Sequence, residues 1–97
     1  MVINLLKSDY KVPRGKMVRI LIEVKDDKIE SIQICGDFFL YPQEALPKLE
    51  ESLKGVKTEE EEVLNRIKEV YGRLGIVSLG VEPRDFAIAI MKALKEK

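Results

Sequence analysis

Three features of the sequence predict an α+β fold: one antiparallel sheet of about three strands, packed on one face by three helices. Residues 17–35 hold two successive runs of period two, the mark of half-buried strands. Residues 1–13 alternate more weakly and add a first strand. The second half of the chain then carries three stretches of helical period, at 42–54, 58–74 and 83–94. With 97 residues there is room for one compact domain spanning 1–97, and no repeat or internal boundary divides it.

The first strand ends at Lys11-Val12-Pro13, because proline cannot donate to a β-ladder. In Met17–Lys25, Val18, Ile20, Ile22 and Val24 share one face, while Met17, Arg19, Leu21 and Glu23 share the other. Asp26-Asp27 supplies a tight turn, since Asp tolerates positive φ better than most residues. Ile32 and Ile34 of the next strand join the buried face. Leu46, Leu49 and Leu53 give the first helix its apolar stripe, with Pro42 suited to its first position. Pro47 conflicts with a helix interior, so the helix is either kinked there or regular only from Pro47 onward. Thr58 and Glu61 have the spacing of a capping box at the start of the second helix. The stripe Val63, Ile67, Val70, Tyr71 and Leu74 follows, and Gly75 ends it. The run Glu59–Glu62 reads as a solvated first turn that complements the helix dipole. Residues 76–80 read as irregular or briefly extended. Pro83 opens the last helix, which presents Phe86, Ile90 and Leu94 on one side, with alanines that permit close packing.

Composition excludes several functions. The 17 basic and 17 acidic residues cancel, whereas a broad nucleic-acid surface needs excess cations to replace phosphate counterions. No apolar run approaches the roughly 20 residues that span a bilayer, and no long apolar block marks a signal peptide; a cytoplasmic location is expected. One cysteine and no histidine leave no conventional zinc set and no internal disulfide. Charge is high at 35%, mostly Lys and Glu, with only two Asn and two Gln, the tendency of hyperthermophile proteins.

Three stretches could carry chemistry. Lys11-Val12-Pro13-Arg14-Gly15-Lys16 surrounds a Pro and a Gly with three cations, in a loop where a backbone and nearby charges could approach phosphate or carboxylate. By itself it reads as a turn with solubilising charges, for it matches no standard phosphate cradle. Gly36-Asp37-Phe38-Phe39-Leu40-Tyr41-Pro42 places three aromatics between the hairpin and the first helix. At least two of its four large side chains are expected in the core. Because Phe38 and Phe39 are adjacent, one of them should point outward and anchor an interface. Asp37 is placed to accept local N–H groups. Cys35 reads as a small buried residue. No nucleophile–base pair or metal cluster forms a self-sufficient active site.

Taken in order, Lys11…Gly15-Lys16, the hairpin, Gly36–Pro42, Leu49 and Leu53 before Lys54-Gly55, and Pro83-Arg84-Asp85-Phe86 resemble the accessory domain of lipoate–protein ligases. In some archaeal systems this domain is a separate chain of about this length. Arg14 stands where that family commonly has the first glycine of Gly-Gly-Lys. The resemblance implies a ligase subunit that is not catalytic alone, binds no cofactor alone and holds no metal. Its partner would be a large catalytic subunit carrying ATP, Mg and lipoate, and it would be needed to form lipoyl-AMP before transfer to a lysine of an acceptor domain. Lys11, Arg14, Gly15 and Lys16 would lie near the nucleotide, and Asp37, Phe38, Phe39 and Tyr41 would meet the partner. Without its partner the domain would expose an apolar patch, through which it could self-associate. The topology also resembles the NifU/SufE-type fold, which leaves a sulfur-transfer or iron–sulfur scaffold using Cys35 as the alternative.

Overall fold

A computed structural model describes residues 4–13 and 15–95 of the chain. The three-stranded antiparallel sheet is β1 (Asn4–Lys11), β2 (Met17–Lys25) and β3 (Lys28–Gly36), in that spatial order. Asp26 and Asp27 turn β2 into β3 with φ of 54° and 60°. Two consecutive residues at positive φ make the mirror-image turn whose twist matches its strands. Val18, Ile20, Ile22, Ile29, Ile32 and Ile34 are buried on the inner face. The pleat therefore sends Arg19, Leu21, Gln33 and Cys35 to the outer face, which no element covers among the described residues.

Three helices lie on the inner side. Helix α1 (Ala45–Leu53) packs on β3, and α3 (Pro83–Leu94) packs on β1 and β2. Helix α2 (Glu60–Leu74) packs on both of them. Leu49 and Leu53 of α1, Val63, Ile67 and Val70 of α2, and Phe86 and Ile90 of α3 meet in one core with the sheet. The Ser8 hydroxyl, buried where β1 meets α3, donates to the Ala89 carbonyl at 2.7 Å and so avoids the cost of a buried unpaired polar group. Glu50 of α1 accepts the Ile34 N–H at 2.7 Å, which blocks part of the open edge of β3.

The starts of α1 and α2 differ from the sequence reading, while α3 opens at Pro83 as expected. Pro42 is not the first residue of α1; it stands three positions earlier, and its carbonyl accepts the Ala45 N–H at 2.9 Å. Pro47 causes neither a kink nor a delayed start. It is the third residue of α1, within the first turn, where N–H groups have no intrahelical acceptor to lose. Thr58 does not cap α2, because its N–H and hydroxyl both go to the Asp27 carbonyl, at 3.0 and 3.3 Å, tying the helix approach to the hairpin turn. Gly75 ends α2 as expected, in the left-handed region at φ 63°.

Residues 76–80, read as irregular or extended, hold a strand with a partner. Segments β4 (Phe39–Tyr41) and β5 (Val77–Leu79) form a second, two-stranded antiparallel sheet. Phe39 lies opposite Leu79, Leu40 opposite Ser78 and Tyr41 opposite Val77.

Candidate functional site

The loop between β1 and β2 is tight. Val12 N–H donates to the Lys16 carbonyl at 2.7 Å and Gly15 N–H to the Val12 carbonyl at 2.8 Å. Val12 is buried and fixes the loop from beneath, while Lys11 and Gly15 are exposed and Lys16 is half-buried. Gly15 has φ of 95°, which a side chain would resist, and open space where its Cβ would be. Arg14 lies outside the described residues.

Gly36 and Asp37 join this loop to the β4–β5 ribbon. A Cβ on Gly36 would run into the Met17 carbonyl oxygen and come within 2.7 Å of the Phe38 ring. Glycine thus permits backbone and ring to close in together. Asp37 Oδ1 accepts the Met17 N–H at 2.8 Å. That bond holds the carboxyl below its ordinary range against the opposing effect of desolvation, with smaller help from Asp37's own N–H and then the charge of Lys16. Phe38 turns inward and meets Phe86 edge to face, with centroids 5.2 Å apart and planes at 78°.

The alkyl stem of Lys16 crosses the ribbon's far end. A Cβ on Gly80, immediately after β5, would stand 2.6 Å from Lys16 Cγ and 3.1 Å from Cε. Loop, Asp37 and ribbon are therefore one continuous surface. On the ribbon, Phe38 and Leu40 are partly buried against the core. Phe39 and Tyr41 are each 72% exposed, and Val77 and Leu79 are 59% and 66% exposed.

Of the residues read as candidates, Lys16, Asp37, Phe38, Phe39 and Tyr41 come together here, and Lys11 and Gly15 sit in the adjoining loop. Phe38 is partly buried, its ring packed against Phe86 of the core. Gly80, Val77 and Leu79 were missed. Their only sequence signal is a three-residue alternation between Gly75 and Gly80, too short to separate from a loop. Cys35 is not buried. It is exposed, because Ile34 takes the inward position of the pleat and Cys35 falls on the outer face opposite Arg19.

The positive end of α3 is already occupied: Asp85 Oδ2 accepts the Glu82 N–H at 2.8 Å. Among the described residues, no three metal-ligating side chains converge. The surface can thus offer positive charge and apolar contact, but it assembles no nucleophile with a base.

A basic loop and an apolar ribbon thus share one continuous surface of a small α+β domain. The chain belongs to the family described as the bacterial lipoate protein ligase C-terminus, whose model matches residues 6–90. It is 31% identical over 83 residues to "Lipoate-protein ligase A subunit 2" of Thermoplasma acidophilum, covering 86% of this chain and 84% of that one. Its fold matches a chain in a solved structure of a bi-partite lipoate protein ligase and its E2 lipoyl domain from the same organism. That match has a TM-score of 0.81 at 28% identity, over 92% of this chain and 97% of the other. The resemblance read from the sequence is borne out at the level of the family.

Proposed function

We propose that this chain is the accessory subunit of a two-chain lipoate–protein ligase. It would act with a large catalytic subunit in the ATP-dependent activation of lipoate to lipoyl-AMP, before transfer to a lysine of an acceptor domain. The observation that carries the reading is the match to 84% of the length of a protein that is itself a ligase subunit. A domain of this kind contributes by closing over a site held elsewhere, excluding water and adding charge where the phosphates lie.

The residue to do so is Lys16. Its stem is seated on Gly80, while Lys11 and Arg14 flank the same loop in sequence. ATP, Mg and lipoate would be held chiefly by the catalytic subunit, and the ammonium of Lys16 would face the triphosphate. Substitution Lys16→Met tests this. Lipoyl-AMP formation by the two-chain complex should slow, and transfer from preformed lipoyl-AMP should not. Equal loss in both half-reactions overturns the role given to Lys16. The sulfur-transfer alternative gains nothing, since cluster assembly needs several thiolates and the chain has one cysteine.

A further inference from the structure

We propose that the outward face of the β4–β5 ribbon, formed by Phe39, Tyr41, Val77 and Leu79, is the surface on which the catalytic subunit docks. The inference rests on the reading of the chain as one half of a two-chain ligase, and it names where the halves meet.

The ribbon's outward positions carry four large apolar side chains and no charge. Phe39 faces Leu79 across the ladder and Tyr41 faces Val77, so the four form one contiguous patch. A two-stranded ribbon is marginal in water unless packed on something, and Phe38 and Leu40 anchor this one from beneath. Leaving its upper side wet works against solubility unless another surface covers it. Aromatic anchors surrounded by apolar contact and free of charge are the composition of an interface centre.

The occupant follows from continuity. A domain that forms the C-terminus of bacterial ligases, and a subunit of a bi-partite one, needs a non-covalent seam in the second arrangement. The ribbon is joined to the basic loop by the Asp37–Met17 bond and by the Lys16–Gly80 contact. A protein seated on the ribbon therefore has Lys16 at the rim of its interface. The two aromatics can bury about 150–250 Å² each. That supplies the centre of an interface that typically covers about 800 Å² per partner, with the loop at its edge.

A rival surface exists. The outer face of the three-stranded sheet exposes Leu5 and Leu21 beside a concavity of about 810 Å³. That face is crossed by the Arg19–Asp9 ion pair at 2.7 Å and carries Lys7 and Gln33. Charges in solvated pairs belong to rims rather than interface centres.

Binding of the full-length chain to the catalytic subunit, measured by titration calorimetry, separates the two. The double substitution Phe39→Ser, Leu79→Ser should weaken binding by about 100-fold. Leu5→Ser, Leu21→Ser should change it less than about threefold. A ribbon variant that binds like wild type overturns the proposal and leaves the ligase reading intact. A wild-type chain that does not bind at all overturns both. A ribbon variant that loses only self-association, while binding the catalytic subunit normally, assigns the patch to a second copy and also overturns it. Should the ribbon variant fold poorly, amide exchange on the wild-type complex decides: protection of 39–41 and 77–79 on mixing supports the proposal, and protection confined to the outer sheet face overturns it.

Discussion

The side chain of Lys16 rests on Gly80. Where Gly80 would carry a Cβ, Lys16 Cγ stands 2.6 Å away and Cδ 3.2 Å. Two residues far apart in sequence thus form a seat and its occupant, and the seat exists only because position 80 lacks a side chain.

Substitution Gly80→Ala should displace Lys16 and slow lipoyl-AMP formation. It also places alanine at φ 89°, costing about 1–2 kcal/mol of stability. Gly75→Ala is the control. That residue too has positive φ, at 63°, but nothing lies within 4 Å of its would-be Cβ. Both variants should lose similar stability in urea, and only Gly80→Ala should lose adenylation rate.

Asp37 should make the loop sensitive to acid. Its folded pKa is lowered, first by the Met17 N–H and further by Lys16. Its stabilising contribution is therefore complete above the ordinary value of 3.8 and fades as pH falls through the lowered folded value. Urea midpoints measured downward from pH 6 should converge for wild type and Asp37→Ala at the acid end, and differ most near neutrality. A constant difference across the range would contradict the ionic role.

Tyr71 should act at the alkaline end. Burial raises its pKa, the neighbouring Ser78 opposes the shift in part, and the charges of Asp85 and Glu82 reinforce it. The neutral phenol is favoured in the fold, so its contribution is present below pH 10.0 and lost as pH rises through the raised value. The hydroxyl is buried with no hydrogen bond of good geometry; the Ser78 hydroxyl, which donates to the Val81 carbonyl at 2.6 Å, keeps only its acceptor side for it. Tyr71→Phe should therefore stabilise by about 1 kcal/mol, measured by chemical denaturation, and should flatten the alkaline fall.

Phe86 links the core to the candidate site. It is fully buried and holds the edge of Phe38. Phe86→Ala should cost about 3–5 kcal/mol and release Phe38, so catalytic-subunit binding should weaken beyond the loss of folded protein. A variant with full affinity per folded molecule would detach the ribbon from the core in function.

Much of the sheet was legible because its code is local. Val18, Ile20 and Ile22 recur at every second position with β-branched side chains, and the Asp26-Asp27 turn announces itself. Helix interiors were legible for the same reason, as with Val63, Ile67 and Val70. The starts of α1 and α2 were not: Thr58 turns to Asp27, thirty-one residues away, and Pro42 lies in a turn that becomes helix only at Ala45. The ribbon escaped because three-residue strands carry no period, and pairing Phe39 with Leu79 is a long-range fact. Cys35 misled because residue type argued for burial while the pleat, set by Ile34, argued against it. Lys16 was found by charge; its seat on Gly80 could only be seen in three dimensions.

The most direct measurement is single-turnover formation of lipoyl-AMP from lipoate and ATP by the catalytic subunit, with and without this chain. Lipoyl-AMP should accumulate at an appreciable rate only when the chain is present at a concentration that saturates the complex. Equal rates in its presence and absence would contradict its role as the accessory subunit.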